Sequence, residues 1–182
     1  MLFAVSTLSG FSQDVFRMGL QIGWFPGRIQ SSFDELSNTQ TSIYNFGLQC
    51  RIGGRLYGVA GLDCHVSQQT FSRADSSCDF KTDYLGFPLR VGFSMVDRKS
   101  FKWRIETGLE FRTALFVSPN DWNLNLKSQE LNRNHMDFVA GTGADWGKFT
   151  ADISYRHVFS TPLRHAAGGG DQLWISVGIL LK

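Results

Sequence analysis

A period of two, sustained over long stretches, constrains this chain more than any other feature. From residue 16 the bulky apolar residues Phe16, Met18, Leu20, Ile22 and Trp24 alternate with Arg17, Gly19, Gln21 and Gly23. A helix would scatter such a set around its axis, whereas a strand puts each set on its own face. The alternation returns as Tyr44, Phe46, Leu48, Cys50 and Ile52, and again as Leu85, Phe87, Leu89, Val91, Phe93 and Met95. Its longest run is Phe101, Trp103, Ile105, Thr107, Leu109, Phe111, Thr113 and Leu115, interleaved with Lys102, Arg104, Glu106, Gly108, Glu110, Arg112 and Ala114. Weaker cases cover 56–67, 136–146, 149–159 and 172–181. About eight strands are expected, most of them near the roughly 9 to 11 residues with which a tilted strand crosses a bilayer.

The connections alternate as well. Gly53-Gly54-Arg55, residues 96–100 and Gly147-Lys148 are short enough for hairpin turns. Residues 27–41, 68–83, 118–135 and 160–171 are longer and polar, and are expected to be loops. Short turns at one end, long loops at the other and an even strand count describe an eight-stranded antiparallel up-and-down transmembrane barrel with both termini on the short-turn, periplasmic side. A soluble barrel of the lipocalin kind alternates too, but it turns its apolar set inward. Here the apolar set is too bulky for so narrow a lumen, while the other set is rich in glycine, with Gly19, Gly23, Gly47, Gly61, Gly86, Gly92, Gly108, Gly141, Gly143 and Gly178. The glycine-rich face is therefore expected to line the lumen, and the aromatic face to meet hydrocarbon.

Composition narrows the remaining classes. The 182 residues suffice for one domain, and a hydrophobic content of 42% is too high for a disordered chain. Eighteen Lys and Arg against sixteen Asp and Glu give a net charge of +2, which argues against nucleic acid as a partner. No run approaches the roughly 18 to 20 apolar residues of a spanning helix. The uncharged segment 1–13 ends in Gly10-Phe11-Ser12 and reads as the remnant of an export signal, leaving 14–182 as a single barrel domain. Cys50, Cys64 and Cys78 show no zinc spacing; a Cys64–Cys78 bridge is conceivable, and three free thiols are expected.

Two sets of residues are the candidate functional positions. Trp24, Tyr44, Phe87, Trp103, Phe138, Trp146 and Tyr155 fall toward strand ends and are expected to form lipid-facing interfacial girdles. Inward positions carry Arg17, Arg51, Arg90, Lys102, Arg104, Arg112 and Arg156 beside Asp63, Glu106, Glu110, Asp137, Asp145 and Asp152. Unpaired charges would be costly in a confined interior, so these are expected to interleave and plug the barrel.

With these residues in view, the chain resembles the bacteroidete family of small outer-membrane barrels, of the PorT type and more distantly the OmpX type. The clearest marker is Tyr84-Leu85-Gly86-Phe87-Pro88-Leu89, in which Gly86 replaces the family's usual acidic residue; Gly108, the 137–143 run and Tyr155-Arg156 also match its pattern. The resemblance implies barrel architecture in the outer membrane of a Gram-negative cell, and no reaction.

Candidate chemistry is sparse. Asp63 and His65 share a strand face and could hold a proton or a metal ion between them, but membership in the lumen ion-pair network is the favoured reading, and no metal or cofactor is expected. His157 and Ser160 are similar to the residues of outer-membrane lipid A deacylases, without the His-x-Ser spacing and without an evident supporting acid. Neither Gly141-Thr142-Gly143 nor Gly168-Gly169-Gly170 sits in a nucleotide-binding context. The expectation is a non-enzymatic, closed outer-membrane barrel that contacts lipid and other outer-membrane or periplasmic proteins. A lipid-modifying enzyme is the alternative, and a small-solute channel a weaker one.

Overall fold

The computed structural model describes residues 16–25, 29–33, 36–73, 76–98, 100–119, 133–159 and 171–181, so the expected signal remnant lies outside the described residues. Nine strands follow one another: β1 (Phe16–Phe25), β2 (Ile29–Phe33), β3 (Leu36–Gly53), β4 (Leu56–Arg73), β5 (Ser76–Arg98), β6 (Phe101–Pro119), β7 (Asn134–Trp146), β8 (Phe149–Val158) and β9 (Asp171–Leu181). Each of β3 to β8 pairs antiparallel with the next, and β1 pairs with both β3 and β9. That double pairing closes the sheet, so β1 and β3 to β9 form an eight-stranded barrel with no free edge in its wall.

The ninth strand departs from the expected loops. β2 pairs with the outer part of β3, from Ile29 opposite Gln40 to Phe33 opposite Leu36, so the segment 27–41 holds a hairpin. Residues 68–83, also expected as a loop, continue the β4–β5 ladder from Gln68 opposite Lys81 to Arg73 opposite Ser76. Both stretches are rich in Ser, Thr, Gln and Asn. They pair through the backbone but rise beyond the greasy wall, where neither face needs apolar residues, so the two-residue hydrophobic signal is missing. Residues 120–132 and 160–170, within the other two expected loops, lie outside the described residues.

All three expected short turns lie at one end of the barrel. Gly53 and Gly147 there have φ of 131° and 60°, the region that glycine enters without a Cβ clash. Met18 pairs with Leu181, so the first and last described strands begin and end at this same end.

Burial follows the parity of the strands. In β1 the even-numbered Leu20, Ile22 and Trp24 are exposed while Gly19, Gln21 and Gly23 are buried, and the opposite-face rule holds around the wall. Large apolar side chains cover the outside, and the buried set is mostly polar or charged. One irregularity is built into β5. Pro88 lacks an N–H, and the β4–β5 ladder is interrupted between Ala60–Leu89 and Asp63–Gly86. Gly61 faces this gap: a Cβ there would lie 3.1 Å from Pro88 Cγ.

Candidate functional site

The lumen is filled by ion pairs that reach across it. Arg51 on β3 and Asp145 on β7 stand on opposite walls, yet Arg51 Nη1 donates to both carboxylate oxygens of Asp145 at 3.0 and 3.1 Å. Arg104 on β6 also reaches Asp145, with Nε donating at 3.1 Å. Its Nη1 donates to Glu106 Oε1 at 3.0 Å and to Asp152, and its Nη2 donates to Thr150 Oγ1 at 2.6 Å. Glu106 further accepts the Tyr57 hydroxyl at 3.0 Å and lies 3.7 Å from Arg90. This lower cluster joins six strands, β3 to β8, by charge-assisted bonds and ion pairs, and lets no guanidinium in it stand alone in a low-dielectric interior.

Above it, Glu110 is fully buried between Arg156, Arg90 and His65. Arg156 Nη1 donates to Glu110 Oε1 at 3.0 Å, Arg90 Nη2 donates to Oε2 at 3.4 Å, and His65 Nε2 lies 2.8 Å from Oε1. Arg112 pairs with Asp137. Arg17 and Lys102 stand at the short-turn mouth, lining one crevice with Arg51 and Arg104, and Lys102 Nζ reaches Asp97 at 2.8 Å. The structure thus brings all the sequence-expected charged residues to the inside of the barrel. Asp63 alone among the six acids makes no ion pair: it is 1% exposed, and neither carboxylate oxygen has a hydrogen-bond partner among the described residues.

Sequence reasoning missed the aromatic part of the lumen. Trp174 on β9 is 1% exposed. The Arg156 guanidinium stacks 4.3 Å from its ring centroid, and His65 meets it edge-on at 5.7 Å. Its Nε1 donates to Gln172 Oε1 at 2.9 Å, so its polar handle is satisfied. The signal was present, since Trp174 shares parity with Gln172 and Ser176 rather than with Leu173, Ile175 and Val177.

On the outside, Trp24, Tyr44, Phe87, Trp103, Phe138, Trp146 and Tyr155 are all exposed. Phe101 and Trp146 meet edge to face at the short-turn end. Cys50 and Cys64 also lie on the outward face and are free; the side chain of Cys78 is outside the described residues. At the opposite end, the acid that stands beside His157 is Asp171. Its Oδ1 lies 2.7 Å from His157 Nδ1 and accepts the Tyr155 hydroxyl at 2.6 Å. His157 and Asp171 are cross-strand neighbours in the β8–β9 register, which sequence spacing does not reveal. Ser160 lies outside the described residues.

No family model matches the chain, and no curated protein matches it in sequence. Among solved structures it is similar in chain path to Ail, the attachment invasion locus protein of Yersinia pestis, with a TM-score of 0.45 and 12% identity over 93% of this chain and 100% of that one. LpxR from Salmonella typhimurium follows with a TM-score of 0.39 and 9% identity, over 91% of this chain and 99% of that chain. The translocator domain of the autotransporter NalP from Neisseria meningitidis gives 0.38 and 11%, over 96% and 91%. These are likenesses of outline; the fold itself, a closed eight-stranded antiparallel barrel, rests on the strand pairing described above.

Proposed function

We propose that the chain is an integral outer-membrane barrel with a closed lumen, a non-enzymatic structural or surface-contact protein. The observation that carries this reading is the inverted wall: Leu20, Phe46, Leu89, Val91, Ile105, Ile153 and Val177 point outward while Glu110, Asp137, Arg104 and Arg156 are buried inside. Only hydrocarbon accepts so continuous an apolar exterior. In the same reading both termini are periplasmic, the exposed aromatics sit at the two interfaces, and the Tyr84–Leu89 sequence supports kinship with small bacteroidete barrels. The polar upper parts of β3 to β5, with β2 alongside, extend past the apolar wall as a platform for another envelope component. Gentle solubilisation followed by affinity purification of the full chain tests this: a co-purifying protein is expected, and its loss when residues 69–80 are replaced by a two-residue turn would map it to the platform. A strictly solitary monomer would overturn the contact role.

A second reading, an interfacial lipid-modifying enzyme, is favoured by one observation: Asp171 backs His157 as an acid backs a general base. Mass spectra of lipid A from cells carrying wild-type chain or His157→Ala separate the two, since the non-enzymatic reading requires identical spectra.

A further inference from the structure

We propose that Asp63, His65 and Glu110 form a site for one first-row divalent cation inside the barrel. One donor atom from each of these three buried residues lies within 4.8 Å of the other two. His65 Nε2 is 2.8 Å from Glu110 Oε1, hydrogen-bond distance, and parting the two by about half an ångström gives the roughly 3.3 Å between two donors of a tetrahedral ion with bonds of about 2.0 Å. A neutral imidazole with two carboxylates carries a charge of −2, and this N,O donor set suits Zn²⁺, Co²⁺ or Mn²⁺ rather than a thiophilic ion.

The independent observation is Asp63. Buried carboxylates are normally paired or hydrogen-bonded, and an orphan in a native interior calls for an unseen partner. Asp63 has neither an ion pair nor a hydrogen bond among the described residues, and His65 Nδ1, on the far side of the ring from Glu110, is also without a hydrogen-bond partner among them. The ion pairs point to the same place: of the six inward acids each except Asp63 has an arginine within ion-pair distance, among Arg51, Arg90, Arg104, Arg112 and Arg156. The remaining inward arginine, Arg17, sits on the level of Arg51, whose β4 neighbour Val59 is four residues below Asp63.

The surroundings keep this niche open. Gly47 and Gly86 are the cross-strand neighbours of Asp63 on its two sides. A Cβ at Gly47 would collide with Asp63 Oδ1, and one at Gly86 would lie 2.9 Å from His65 Nε2 and 3.1 Å from Glu110 Oε1. Arg90 and Arg156 would then serve as outer partners of the ligating Glu110, the hydrogen-bonded second layer that metal-bound carboxylates keep. The site belongs to the interior and is independent of which reading of the exterior holds.

The test is refolding of the full chain from urea into detergent micelles with Zn²⁺ or Co²⁺, so that entry through the closed lumen is not limiting, followed by removal of free metal. Heat-modifiable gel migration reports the folded barrel, and elemental analysis with the visible absorption of Co²⁺ reports the ion. One ion per folded chain is expected, with at least tenfold lower occupancy in Asp63→Asn and His65→Gln and full occupancy in His157→Gln, which disarms the exposed histidine-aspartate pair. A folded wild-type barrel that retains less than a tenth of an equivalent overturns the site and leaves a proton on His65 as the balancing charge. Metal retained undiminished in folded Asp63→Asn and His65→Gln overturns it equally. If those variants do not fold, the wild-type stoichiometry and the presence or absence of a nitrogen-ligated Co²⁺ spectrum in His157→Gln decide.

Discussion

Arg104 touches three carboxylates and a threonine hydroxyl at once, from a position that is 1% exposed. Arg104→Ala strands Asp145, Asp152 and Glu106 with fewer cations, and removing one partner of a buried ion pair costs about 3 to 5 kcal/mol. Urea unfolding of the refolded barrel is expected to show that loss, with Arg104→Lys only a partial rescue because an ammonium cannot reproduce the forked geometry. Glycines show a contrasting residue-scale effect. A Cβ at Gly108 would meet the Leu89 carbonyl and the Arg90 Cα, both backbone, so Gly108→Ala should cost about 1 to 3 kcal/mol through overpacking. Gly147 has nothing within 4 Å of such a Cβ, and Gly147→Ala should cost only the roughly 1 to 2 kcal/mol of placing an L-residue at φ of 60°. Parity made the inward charges legible from the sequence, because side-chain direction in a strand follows from odd and even position alone. Who pairs with whom was not legible: Arg51–Asp145 and His157–Asp171 depend on register and closure, which relate residues 94 and 14 positions apart.

Strands β1, β8 and β9 have 10 to 11 residues, close to the length that crosses a bilayer at a tilt, whereas β3 to β6 have 18 to 23. β3, β4 and β5 therefore divide into a greasy lower part and a polar upper part, whereas β6 keeps Leu115, Phe116 and Val117 near its upper end. Placing an arginine on the lower part, as in Val91→Arg, should destabilise the barrel in lipid by about 2 to 4 kcal/mol, the range for a charge near the bilayer midplane. The same change at Thr70, on the upper part of β4, should stay within about 1 kcal/mol. Equilibrium unfolding in liposomes checks both, and equal effects at the two positions would remove the division. The lower parts announced themselves through alternating hydrophobicity. The upper parts did not, since backbone pairing there is not accompanied by one apolar and one polar face; Gln68 to Arg73 and Ser76 to Lys81 read as loop while forming a ladder.

Closure of the sheet by β1 against both β3 and β9 brings opposite walls near enough for Arg51 and Asp145 to bond directly. Eight strands leave an interior that side chains fill. In planar bilayers the barrel is accordingly expected to give no stable, ion-selective conductance, and a reproducible open channel would contradict the plugged interior. Trp174 adds a way to see the whole arrangement at once. Of the five tryptophans, Trp24, Trp103 and Trp146 face outward, Trp174 is enclosed against Arg156 and His65, and Trp122 lies outside the described residues. The molecule consequently carries a native dye on each side of its wall: in a Trp122→Phe background, phospholipids brominated on their chains should dim the three outer indoles and leave the emission of the enclosed one.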